Sequence, residues 1–313
     1  MGAILIFMAG VLLLVGGAWF LVSGGNRLAR IFGVSQLVVG LTIVAWGTSA
    51  PELVVSLVAS LRGSDDIMLG NVLGSNLANI GLILGVAVLL SPTRFDRSLW
   101  KFEIPVLVVS TAAFIIFCAD GALGRIEGLV LAAIFAWFTC LTLRRARRDR
   151  DSGGAKEHKR PGRGIIISST MVLVGCAGLV GGSHLIVESA TVLARRFGIS
   201  ELAIGLSLVA VGTSLPELAT TVVAALRRES GIAMGNVIGS NLFNTLAVAG
   251  PVAAINPVGD TTSLLSRQLP GLVAVTLVLP LMMAGRDHLG RMAGTVLLLA
   301  YAGLLTWWMD IWP

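Results

Sequence analysis

Two glutamates lie in apolar runs, Glu52 in "VAWGTSAPELVVS" (44–56) and Glu217 in "VAVGTSLPELATT" (209–221). Each follows a proline and a Gly-Thr-Ser group. Thr48 and Ser49 precede Glu52 by four and three residues, and Thr213 and Ser214 precede Glu217 in the same way, a spacing that turns side chains to one helical face. Downstream, "GNVLGSNLAN" spaces Asn71, Ser75 and Asn79 by four, and "GNVIGSNLFN" does the same with Asn236, Ser240 and Asn244. Each triplet forms a polar stripe on one face of a helix. Carboxylates, hydroxyls and amides supply oxygen and nothing soft. Such a set with two negative charges suits a hard cation, calcium or sodium, and argues against zinc, copper or an organic anion. Enzyme chemistry is not indicated: no HExxH segment or paired-aspartate motif of the "YD…GxGD" kind occurs, and the serines have no evident base nearby. No cofactor is expected.

The elements that must hold these residues are membrane helices. A chain of 313 residues with 55% hydrophobic and 13% charged residues lacks the charge to cover a water-soluble surface. Apolar segments long enough to cross a bilayer fall at 2–22, 37–62, 66–90, 102–118, 122–143, 164–186, 202–226, 231–255, 268–284 and 290–312. The first has no basic leading region and no small-x-small cleavage site, so it reads as mature structure. The fold class expected is an all-α membrane protein of ten transmembrane helices.

Charge sets the orientation. The segment 143–164 carries nine Lys/Arg, and the positive-inside rule makes it cytoplasmic. Counting outward from it puts 18 of the 23 basic residues inside, with Arg62, Arg125, Arg195, Arg196 and Arg267 outside. Both termini then lie outside, in a cell inner or plasma membrane. The net charge of +6 thus belongs to loops rather than to a folded basic face, which argues against nucleic acid as a partner. The partners implied are membrane lipid and inorganic cations, and no protein partner is evident. Cys118, Cys140 and Cys176 show no metal or disulfide spacing and read as packing residues; His184 reads as a packing or interfacial histidine.

The chain repeats itself. A shift of 165 residues aligns "LARIFGVSQLVVGLTIVAWGTSAPEL" (28–53) with "LARRFGISELAIGLSLVAVGTSLPEL" (193–218) without a gap, and about half the positions in 23–85 are identical to their counterparts. Five spans per copy is an odd number, so the copies are inverted. Inverted repeats are a transporter architecture with the substrate site where the halves meet near the midplane. The division expected is 1–143 for the first repeat, 144–163 for a basic cytoplasmic linker and 164–313 for the second. Proline after a Gly-Thr-Ser group should break each helix, restart it near Pro51, allow Thr48 or Ser49 to cap it and set Glu52 in its first turn. Gly70, Gly74, Gly235 and Gly239 should allow close backbone contact. Asn76 and Asn241 read as caps or braces ahead of ligands.

At these residues a resemblance becomes specific. The paired "GTSxPE" segments, each followed by "GNVxGSNxxN", resemble the alpha-repeats of sodium/calcium exchangers in the calcium/cation antiporter superfamily, of the prokaryotic ten-helix type. The likeness covers about 40–90 and 205–255. It implies two inverted five-helix halves with broken helices at the midplane, and exchange of calcium for sodium by alternating access. By position, Glu52 and Glu217 would be central calcium ligands. Thr48, Ser49, Thr213, Ser214, Ser75 and Ser240 would contribute to flanking sodium sites, with Asn79 and Asn244 beside the centre. The first and sixth helices would slide as a gate. Some relatives carry aspartate where this chain has Asn244, which leaves the sodium count, potassium involvement and electrogenicity open. Proton/calcium exchangers of the same fold carry a GNxxE-type segment instead of GTSxPE, which favours sodium over protons as the coupling ion. A proton-coupled antiporter is the alternative, and a passive cation channel a more distant one.

Overall fold

The computed structural model describes residues 2–152, 162–196, 210–259 and 261–311. Among them the chain forms ten helices in order: α1 Gly2–Phe32, α2 Gln36–Leu61, α3 Asp65–Leu90, α4 Glu103–Phe117, α5 Arg125–Ser152, α6 Gly162–Arg196, α7 Leu215–Leu226 preceded by Ala210–Thr213, α8 Ser230–Ile255, α9 Thr261–Met283 and α10 Arg291–Ile311. Six of them are long and apolar enough to span a bilayer. Large side chains such as Leu12, Leu173 and Leu299 stand about two-thirds exposed, as expected of a surface that meets hydrocarbon.

Helix ends follow local chemistry rather than hydropathy. The sequence places the end of the first span at 22, yet α1 runs on through Ser23–Asn26 and stops only at Gly33, whose φ of +63° no helix accommodates. Similarly, α6 extends to Arg196, and α5 continues into the basic segment as far as Ser152, because arginines are good helix formers and no breaker intervenes. The opening residues of the span read at 202–226 lie outside the described residues.

Small residues decide which helices pair. α1 and α6 run antiparallel: a Cβ added at Gly10 would meet the Gly182 carbonyl at 3.0 Å, and one at Gly17 the Gly175 carbonyl at 2.8 Å. Contact of main chain with main chain needs glycine on both sides. The repeats also embrace each other. Gly128 of α5 packs on Gly250 of α8, and Gly85 of α3 on Gly294 of α10; Gly85 and Gly250 are 165 positions apart, so one contact is made twice. Gly235 and Gly239 of α8 sit against α2, where an added Cβ would lie 2.7 Å from the Leu37 carbonyl and 2.8 Å from the Leu41 Cα. The segment expected to face Gly70 and Gly74 in the same way, around 202–206, lies outside the described residues. Gly239→Leu should therefore lower stability by roughly 1–3 kcal/mol through overpacking, read as a lower melting temperature in detergent, while Gly16→Ala, with open space around it, should change little.

One end of the molecule is tied by polar contacts between the repeats. Asn26 of α1 donates to Glu229 Oε1 at 2.5 Å, and Gln36 of α2 donates to the other oxygen of Glu229 and to Asn26 Oδ1. Beside them, Arg227 reaches Ser23 and lies over the Trp19 ring, 5.3 Å from its centroid. Short antiparallel pieces, Thr93–Arg94 with His288–Leu289, close loops from the two repeats. Of the cysteines, Cys118 is buried and Cys176 half-buried, but Cys140 is exposed rather than a core packing residue. His184 is also exposed, 3.9 Å from Glu188, so it is not a packing residue.

Candidate ion-binding site

The helices carrying the motifs cross at the centre: α2 and α3 from the first repeat, α7 and α8 from the second. The expected break does not occur in α2. Pro51 lies inside a continuous helix, Ala45–Leu61, so Thr48 and Ser49 are not caps and Glu52 is not in a first turn. Proline withdraws one donor, the one owed to the Gly47 carbonyl, and packing inside the bundle absorbs that single loss. In the second repeat the break is real. Ser214, at φ −87° and ψ 2°, interrupts the helix, Pro216 falls in the first positions of the restart and Glu217 in its first turn. Ser214 occupies the cap position, but its hydroxyl makes no capping bond.

Other irregularities lie near the motifs. A π-helical turn spans Gly40–Val44 in α2, ahead of Thr48. In α3 one spans Asn79–Ile83, and in α8 one spans Phe243–Val248. In both of these the wide turn places a backbone acceptor at the stripe's last amide: Leu84 N–H donates to Asn79 O, and Ala249 N–H to Asn244 O. Single π-turns inside helices recur at functional sites.

The carboxylates of Glu52 and Glu217 are each 1% exposed and lie within electrostatic range of each other. Ser49 Oγ donates to Glu217 Oε1 at 2.8 Å and lies 2.9 Å from Ser240 Oγ, which joins α2 to α7 and α8. The mirror contact is looser, with Ser214 and Ser75 hydroxyls 3.5 Å apart. Thr48 Oγ1 lies 3.2 Å from Asn236 Oδ1, and Thr213 Oγ1 lies 3.4 Å from Asn71 Oδ1. Of the ten residues that the resemblance implies as ligands, eight stand on these four crossing helices, and Thr213 and Ser214 lie at the break just ahead of α7. Thr48, Ser49, Glu217 and Ser240 are joined by direct contacts, as are Ser75 and Ser214. Thr213 reaches the stripe through Asn71.

What is left unbonded is as informative. Both oxygens of Glu52, Oε2 of Glu217, and the amide oxygen and nitrogen of Asn79 and Asn244 are buried without a hydrogen-bond partner. Buried polar atoms are nearly always paired, since an unpaired one costs about 1–3 kcal/mol and more when charged. These atoms come from positions 165 residues apart in two pairs. They form a set of free oxygens able to replace the water of a cation. Among the described residues no cluster of three or more His, Cys, Asp and Glu occurs, so the pocket's formal charge is that of two carboxylates.

Sequence reasoning missed some of the supporting groups. Asn71 Nδ2 donates to the Glu52 carbonyl at 3.0 Å and to Ser56 Oγ at 2.9 Å; Asn236 Nδ2 donates to Thr221 Oγ1 at 2.9 Å and lies 3.5 Å from the Glu217 carbonyl. Ser56 and Thr221 are also 165 apart, and that matched pair of hydroxyls was the available signal. Asn76 and Asn241 act as braces: Asn76 donates to Thr245 Oγ1 across the repeats at 2.8 Å, and Asn241 to its own helix at the Val237 carbonyl.

Known proteins share this fold. The model of a family described as sodium/calcium exchanger protein matches residues 2–144 and 167–309. The inner membrane protein YrbG of Escherichia coli K12 is 35% identical over 310 residues, covering 96% of this chain and 94% of that protein. The sodium/calcium exchanger MaX1 of Methanosarcina acetivorans is 31% identical over 338 residues, covering 96% and 97%. A solved structure of the sodium-calcium exchanger NCX_Mj, soaked with sodium and calcium, superposes with a TM-score of 0.86 at 32% identity over 98% of each chain.

Proposed function

The chain belongs to the sodium/calcium exchanger protein family, as a secondary active antiporter that exchanges calcium for sodium by alternating access, and we propose that the oxygens gathered between Glu52 and Glu217 carry both ions. Calcium sits between the two carboxylates, with Asn79 and Asn244 beside it. Sodium ions take the same centre and the flanking hydroxyls of Thr48, Ser49, Ser240, Thr213, Ser214 and Ser75. The observation that carries this reading is the set of buried, unbonded oxygens from both repeats.

Exchange follows from shared ligands. Two carboxylates buried in a low dielectric without a counter-charge are costly, on the order of 3 kcal/mol each by insertion scales, and more by simulation. A calcium ion, or sodium ions, cancels that charge, so the loaded protein changes conformation more easily than the empty one. Because calcium and sodium need the same oxygens, one must leave before the other binds. The glycine-lined face between α1 and α6 supports these two helices as the moving pair.

We further propose the topology that the charges indicate: repeats at 1–143 and 164–313, a cytoplasmic linker at 144–163 and both termini outside. The transport reading is tested in proteoliposomes holding the purified chain. An outward-directed sodium gradient should drive uptake of labelled calcium at constant pH on both sides. Uptake driven by a pH gradient alone, indifferent to sodium, would replace sodium by protons as the coupling ion; calcium flux at channel rates without countertransport would refute antiport.

A further inference from the structure

Two asparagines in the site are held at both ends of their amides. Asn236 Nδ2 donates to Thr221 Oγ1 and faces the Glu217 carbonyl, which leaves its Oδ1 aimed across the repeat boundary at Thr48 Oγ1, 3.2 Å away. Its counterpart does the same in mirror image: Asn71 Nδ2 is held by Ser56 Oγ and the Glu52 carbonyl, and Oδ1 is aimed at Thr213 Oγ1, 3.4 Å away. The backbone carbonyl sets the orientation of each amide: a hydroxyl can accept from the nitrogen or donate to the oxygen, but a flip would set the amide oxygen against the carbonyl oxygen, at 3.0 Å for Asn71 and 3.5 Å for Asn236. Each therefore presents a fixed acceptor, on one repeat, to a threonine on the other.

A hydroxyl has one hydrogen and two lone pairs, and it serves as a cation ligand only when the hydrogen points away from the ion. Thr48 has other directions for its hydrogen: the Ala45 carbonyl at 3.2 Å and the carboxylate of Glu217 beside it. A hydrogen turned to the carboxylate would face the incoming cation. Building on the ligand set proposed above, we propose that Asn236 and Asn71 are positioning residues for sodium, which draw the hydroxyl hydrogens of Thr48 and Thr213 away from the cavity and leave their lone pairs turned inward. Neither amide touches the ion. The arrangement also ties sodium's flanking ligand in one repeat to the backbone of the central glutamate in the other.

The test is a double-mutant cycle in proteoliposomes, with half-saturating sodium and the calcium KM for calcium–calcium exchange measured separately. Asn236→Leu should raise half-saturating sodium about five- to tenfold, the worth of one net hydrogen bond, and leave the calcium KM within about twofold. The effect is partial because the Ala45 carbonyl still accepts. In a Thr48→Val background, which has no hydroxyl to orient, Asn236→Leu should add nothing further. Additive shifts, or equal shifts in sodium and calcium, would overturn the positioning role while the ligand set stands. A Thr48→Val variant with unchanged sodium dependence would instead remove Thr48 from the ligand set, and this inference with it. If Asn236→Leu yields no folded protein, Asn71→Leu with Thr213→Val puts the same question to the mirror pair.

Discussion

Glu52→Gln and Glu217→Gln should each cut sodium-driven calcium uptake more than about a hundredfold, although both variants insert and fold. Removing one partner from a buried charged arrangement typically costs about 3–5 kcal/mol, and each 1.36 kcal/mol is a factor of ten. Glutamine keeps the shape and one oxygen but halves the formal charge around the ion. A +2 ion between one carboxylate and one amide then carries a net charge into the bilayer core, which opposes both binding and movement. The two variants should fail alike, since both residues are 1% exposed and lie at equivalent positions of the repeats. Ser49→Ala should be milder, because it removes the donor to Glu217 Oε1 and a neighbour of Ser240 but leaves both charges. Undiminished exchange in either Gln variant, measured per inserted protein, would take that glutamate out of the ion's path.

Calcium should also raise the melting temperature of the wild-type protein in detergent, and Glu52→Gln should abolish that rise. A ligand that binds only the folded state adds RT ln(1 + [L]/Kd), about 2.7 kcal/mol at a hundred times Kd. Without calcium the order should reverse. The wild type holds a carboxylate whose two oxygens have no partner, and the Gln variant holds a neutral amide there, so the variant should melt no lower than the wild type in chelator at pH 8. Sodium at high concentration should give the wild type part of the same protection. Melting curves of wild type and variant that respond equally to calcium would show that the ion binds elsewhere.

Much of this was legible in the residues because membrane physics leaves few solutions. Runs of apolar residues longer than a bilayer is thick must be helices, and a copy half identical in sequence after an odd number of spans must be inverted. The pairing of Glu52 with Glu217 followed from the same symmetry. The behaviour of Pro51 did not. Its local chemistry argues for a broken helix, and at Ser214 that chemistry prevails, but around Pro51 the packing of α2 between α3 and α8 outweighs one lost hydrogen bond. The π-turns were not legible, and of Ser56 and Thr221 only the matched spacing was, since their roles depend on which helix packs on which, and hydropathy holds no record of that. The tie from Glu229 to Asn26 and Gln36 joins positions about 200 residues apart that the repeat does not relate.

The hexapeptides GTSAPE and GTSLPE differ at one position, yet in the same molecule one lies in an unbroken helix and the other is interrupted at its serine. So small a difference in sequence cannot account for two backbone shapes; the surroundings must select between them. Equivalent positions of the two repeats therefore need not respond alike: a helix-breaking substitution beside Ser49 acts on a continuous helix, whereas one beside Ser214 acts where the helix already stops.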